Sequence, residues 1–170
     1  MRKMAAVVLV LVILGSIAPA AAQKTAPPKQ SAGARLEALL NSADIPFNKP
    51  EEGRYNAVIS VSQDESERFN IALSHLGDDP NQEKLQFYQM YFLLGQMPKG
   101  ASFPNALIKQ INEWNTNLTM GKVVAVEGYI MYISSAWFSQ ASADSLTQDA
   151  VMGHYVSQDL RKSVAPYLKQ

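Results

Sequence analysis

"INEWNTNLTMGKVVAVEGYIMYISSAW", Ile111 to Trp137, reads as the end of a helix, a short break, and two strands joined by a tight turn. Leu107, Ile108, Ile111, Trp114 or Asn115, and Leu118 recur at helical spacing, and Pro104 suits the first turn of that helix. After Gly121, "KVVAV" and "YIMYISSAWF" are separated by Glu127–Gly128. Such a pair is a two-residue hairpin signal of the turn type that needs glycine.

Working outward, the runs before this stretch repeat every second residue. In "RYNAVISV", Tyr55, Ala57, Ile59 and Val61 share a face; in "RFNIALSH", Phe69, Ile71 and Leu73 alternate with polar or small residues. "QDES", Gln63 to Ser66, connects them as a hairpin. "LQFYQMYFLL", Leu85 to Leu94, is apolar on both faces, with Phe87, Tyr91 and Leu93 on one and Tyr88, Met90, Phe92 and Leu94 on the other. A strand of that kind is central in its sheet, or covered on each side. A helix over about 34–43 precedes these strands, with Leu36, Leu39 and Leu40 as its stripe; Pro46, Pro50 and Gly53 then turn the chain. A last helix spans about 143–168, with Met152, Val156, Leu160, Val164 and Tyr167 on one stripe. The order is α-β-β-β-α-β-β-α. It predicts an α+β domain whose antiparallel sheet carries its helices mainly on one face.

The N-terminus predicts export. Arg2 and Lys3 precede the apolar run "AAVVLVLVIL", which is too short to span a bilayer, and "AAA", Ala20 to Ala22, offers small residues for cleavage near Ala22–Gln23. The domain reading is a signal peptide at 1–22, a flexible linker at 23–33 containing "QKTAPPKQSAG", and one folded domain at 34–170. The product would lie in the periplasm or outside the cell. It would have no membrane attachment once the signal is removed.

Composition narrows the chemistry. The 170-residue chain has 15 basic and 15 acidic residues, so no overall field draws it to nucleic acid. Cysteine is absent, which excludes disulfides, thiolate metal sites and a cysteine nucleophile. His75 reads as a strand-end residue, and His154 has no carboxylate three or four residues away on its helix, so neither supports a zinc pair or a triad. The pairs Glu51–Glu52, Asp64–Glu65 and Asp78–Asp79 fall in loops as solvated charges. "GDDPNQE", Gly77 to Glu83, lacks the alternating acids of an EF-hand loop. "NLT", Asn117 to Thr119, matches a glycosylation sequon and reads as a helix terminus. No phosphate-binding glycine loop or nucleophile elbow is present. The expectation is no catalytic residue, no metal site and no cofactor.

Aromatic surface remains. The third and fifth strands carry more apolar side chains than a helical layer on one side can cover. Tyr88, Phe92 and Tyr132 are the expected binding residues of an apolar interaction face, with Leu94 and Phe138 beside them.

The elements of "INEWN", the break to Gly121–Lys122, the hairpin at Gly128 and the terminal helix resemble the YbjN family of bacterial sensory transduction regulators. Leu39–Leu40 ahead of "IPF" fits the same pattern, and the resemblance spans roughly 34–168. It implies a fold like that of type III secretion chaperones, which often dimerise and bind other polypeptides. It brings no catalytic residues; Asn112 and Asn115, which match the family's asparagines, read as helix-end residues that bond backbone near the break. The resulting expectation is an exported, non-enzymatic binding domain, chaperone-like or tied to envelope stress, whose partner is a polypeptide or its own twin. The alternative is a small-ligand binder, or an enzyme whose only tools are carboxylates and tyrosines.

Overall fold

The computed structural model describes residues 30–77 and 83–168. Among the described residues three α-helices, α1 (Ala32–Ser42), α2 (Asn105–Asn117) and α3 (Ala143–Val164), accompany six strands. These are β1 (Phe47–Glu51), β2 (Arg54–Ser60), β3 (Ser66–His75), β4 (Gln86–Gln96), β5 (Lys122–Val126) and β6 (Tyr129–Trp137). The strands form one antiparallel sheet in the order β1-β2-β3-β4-β6-β5. The doubly apolar β4 is therefore an interior strand. The chain is an α+β domain, as the periodicities predict.

The sheet has one strand more than the sequence suggests. Pro46 and Pro50 read as turn residues, yet Phe47–Glu51 pairs with β2. An edge strand tolerates proline because its missing N–H faces no partner, and the register shifts between Asn48 and Glu51 where Pro50 lies. The first helix also begins earlier than expected. Ser31 caps α1 by accepting a hydrogen bond from the Ala34 N–H at 3.2 Å, and Gly33 is buried, so the end of the expected linker belongs to the domain. The expected signal peptide, and the linker up to residue 29, lie outside the described residues.

The core lies between the helices and one sheet face. Tyr55, Ile59, Phe69, Ile71, Met90, Phe92, Ile130 and Tyr132 meet Leu36 and Leu40 of α1, Leu107 and Ile111 of α2, and Leu146, Leu160 and Val164 of α3. Helix α3 is rotated relative to its expected stripe. Met152 is exposed, whereas Ala150, Gly153, His154 and Ser157 are buried. Small side chains mark the middle of its contact line, between Leu146 and Leu160. At its centre a Cβ placed on Gly153 would overlap the Phe92 ring, so only glycine lets the helix axis come this close to β4. A capping box fixes the start of the helix, with Ser142 and Ser145 exchanging side-chain and backbone hydrogen bonds.

The β5–β6 hairpin has the expected turn. Val126 pairs with Tyr129, and Glu127 and Gly128 both have positive φ, at 50° and 82°. The break before it is closed by Asn115. Its side-chain amide donates to the Val123 carbonyl at 2.9 Å and accepts from the Val123 N–H at 2.7 Å. Those two groups point away from β6, so Asn115 occupies the start of the edge strand as a neighbouring strand would.

Two substitutions test this architecture. Nothing lies within 4 Å of a Cβ at Gly128, so Gly128→Val should cost on the order of 1–2 kcal/mol through backbone strain alone, read as a lower midpoint in thermal denaturation. Gly153→Val should cost about 1–3 kcal/mol by overpacking. Combining it with Phe92→Leu should lose less than the sum of the two single variants, since each relieves the other's misfit. Strict additivity would show that the helix does not seat on Phe92.

Candidate functional site

The three expected binding residues are core residues. Tyr88, Phe92 and Tyr132 are 1%, 0% and 2% exposed, and Leu94 and Phe138 are buried with them. They cannot form an interaction face while the domain is folded. Alternation put them on one face correctly, but that face is the one beneath α3. Phe92 stacks on Phe69 with ring centroids 5.3 Å apart and tilts against Tyr132 at 6.0 Å. The two tyrosines spend their hydroxyls on local acceptors. Tyr88 donates to the Asp149 carboxylate of α3, and Tyr132 donates to the Met120 carbonyl at 2.9 Å. Burial, and then the neighbouring Asp149 carboxylate, pushes both phenols above the ordinary tyrosine range. A neutral, hydrogen-bonded phenol is a structural peg, not an acid–base group at neutral pH.

One buried polar cluster escaped the sequence reading. His154 has no carboxylate on its own helix, but β3 and the turn before it supply two. Its Nδ1 lies 3.0 Å from Glu67 Oε2, and its Nε2 lies 3.2 Å from Glu65 Oε1, close enough for ion pairing but off the axis of a hydrogen bond. Arg161, two turns further along α3, closes on Glu67 with a two-pronged contact at 2.8 and 2.6 Å and donates to the Leu93 carbonyl at 2.8 Å. Gln158 donates to Glu65 at 2.9 Å. Burial works to raise Glu67, but the Arg161 and His154 hydrogen bonds overcome it and hold the carboxyl below its usual value. The one signal that could have found the cluster is Glu67, a charged residue at a core-facing position of an otherwise apolar alternation. The Ser157 hydroxyl, one turn further along α3, donates to the His154 backbone carbonyl at 2.8 Å. The geometry therefore clasps α3 to β3.

Among the described residues no three histidine or carboxylate side chains are grouped to hold a metal ion, and Asp78–Asp79 lies outside them. His75 is exposed at the end of β3, where the sequence reading places it.

The surface left without a helical layer is the other face of the sheet. Leu93, Tyr129 and Trp137 are 48%, 41% and 44% exposed there, and Phe87, Tyr91 and Met131 are half-buried beside them. Phe87 and Trp137 meet edge to face at 6.2 Å. A trough of about 840 Å³ runs between Asn48, Asn56 and Asn70 on one side and Tyr129 and Met131 on the other, and a smaller hollow of about 290 Å³ lies at Phe87 and Trp137. The expectation of an uncovered aromatic face holds in kind, but for the opposite set of residues.

Glu67 gives a pH test. Its folded-state value lies below the ordinary 4.5, so its contribution is present above that pH and is lost as pH falls through the depressed value. Glu67→Gln should cost about 1–3 kcal/mol near pH 7, and the gap from the parent should close as denaturation is followed to acid pH. A gap independent of pH would mean that the carboxylate charge does not hold the clasp.

No family model matches the chain, and a search of curated proteins finds no match to it.

Proposed function

We propose that this chain is an exported, non-enzymatic binding domain of the YbjN type that holds a second polypeptide against the open face of its sheet. One observation carries the reading. A six-stranded sheet with its helical layer on one side leaves Leu93, Tyr129 and Trp137 outward, with Phe87, Tyr91 and Met131 half-buried on the same face. Soluble monomers rarely leave such a surface without a partner. The apolar run and small residues of the N-terminal sequence support export. The small-ligand or enzyme alternative needs carboxylates converging on a closed pocket. Glu65 and Glu67 instead face His154, Gln158 and Arg161.

Site-specific photo-cross-linking in native cells tests the proposal. A benzophenone side chain at Tyr129 or Trp137 should yield a discrete polypeptide adduct, and the same probe at Gln148, on the solvent side of α3, should not. An adduct of twice the chain mass would identify the partner as a second copy. Adducts only from Gln148 would move binding away from the sheet and end this reading.

A further inference from the structure

The open face has an order that neither the aromatic count nor the net charge reveals. Asn48, Asn56, Asn70, Tyr91, Ile133 and Lys122 are successive cross-strand partners, forming one row across all six strands. Asn56 donates to Asn48 at 2.9 Å, and Tyr91 donates to Gln89 at 2.8 Å in the next row, where Gln89 in turn donates to Ser135 at 3.2 Å. A band of amides and hydroxyls thus crosses the sheet. Leu93 and Met131 flank it on one side, and Phe87 and Trp137 on the other. An uncovered face meant only for water would not need apolar borders. One meant only for apolar packing would not need the amides.

Charge on this face is mainly positive, and its one carboxylate among the described residues, Glu51 on β1, is held by Arg54. At the outward positions of β2 to β6 the charged residues are Arg54, Arg68 and Lys122, and no carboxylate is among them. Glu51 pairs with Arg54 at 2.8 Å at the edge. Arg68 and Lys122 are exposed and have no partner among the described residues. A second copy docked face to face would set this positive surface against its own like, which disfavours self-association here. The chain's overall neutrality hides the asymmetry.

Resting on the polypeptide-binding reading above, we propose that the occupant of the open face is an extended, acidic polypeptide segment. Its peptide groups bond to Asn70, the member of the asparagine row beside Arg68, since a side-chain amide offers both the donor and the acceptor that a backbone amide requires. Its carboxylates meet Arg68 and Lys122, and an apolar side chain between them enters the trough beside Met131. Arg68 and Lys122 sit three strands apart and in adjacent outward rows, a separation of roughly 15 Å, which an extended chain covers in four to five residues. Because side chains of an extended chain alternate sides, acids at i and i+4 with an apolar residue at i+2 all face the sheet.

Nuclear magnetic resonance titration of the labelled domain with three peptides decides the matter. Gly-Glu-Ser-Leu-Ser-Glu-Gly should give saturable shifts at Asn56, Asn70, Tyr91 and Lys122, weakening as salt is added. Its counterparts with Lys or Gln in place of Glu should bind at least about tenfold more weakly. Arg68→Glu, with an unchanged circular dichroism spectrum, should lose the preference for the Glu peptide. Equal binding of all three peptides on the same residues would overturn the acidic specificity and leave the polypeptide-binding reading standing. If none of the peptides shifts the sheet residues, both are overturned. Tighter binding of oligogalacturonate or of a single-stranded oligonucleotide than of the Glu peptide would likewise overturn it, in favour of a different class of polyanion.

Discussion

The contact between the Phe92 ring and the backbone of Gly153 sets the geometry of this domain. Phe92 projects from the middle of an interior strand, and Gly153 lies at the middle of the longest helix. Without a side chain at residue 153 the helix can lie directly on the ring. Ala150 and Ser157, one turn to either side, keep the same close approach. The remaining core contacts follow from that line. Tyr88 reaches Asp149, Leu146 and Leu160 join the core from α3, and α1 packs against α3. A large residue at the centre would tilt the helix and lose these contacts together.

Packing on so smooth a line gives little rotational specificity, and polar contacts supply it. Small residues would let the helix slide or turn, because an apolar surface has no preferred register of its own. Glu67 removes that freedom by holding His154 and Arg161 at once, two residues that face the sheet only at one rotation of the helix. Tyr88 does the same at the N-terminal half by reaching Asp149. Burying a carboxylate is costly, and the bonds to an arginine and a histidine offset that cost. These titratable side chains thus have an architectural explanation that needs no reaction.

The same rotation decides which aromatic residues are available to a partner. With α3 over Tyr88, Phe92 and Tyr132, the alternate residues of the same strands, Phe87, Tyr91, Leu93 and Trp137, are left on the outside. Beyond them the Asn48–Asn56–Asn70 row and the exposed cations Arg68 and Lys122 give that face a chemical character distinct from the core side. Asn115, by occupying Val123, also blunts the β5 edge at that residue.

By itself the sequence determined the elements and their class. Period-two runs specify strands, period-3.6 runs specify helices, and Glu127–Gly128 specifies its turn through backbone conformation, all of which are local. Asn115 was legible as a helix-end side chain bonded to backbone for the same reason. The strand at Phe47–Glu51 was not, because its prolines signal a turn unless the strand is known to lie at an edge, and edge position belongs to the whole sheet. Alternation sorted the β4 residues into two faces without saying which would be covered, since both are apolar. Only the docking of α3 chose. The partners of His154 were invisible for a related reason: they lie 87 and 89 residues away in the chain, and a search along one helix cannot reach a strand brought beneath it by the packing of glycine on phenylalanine.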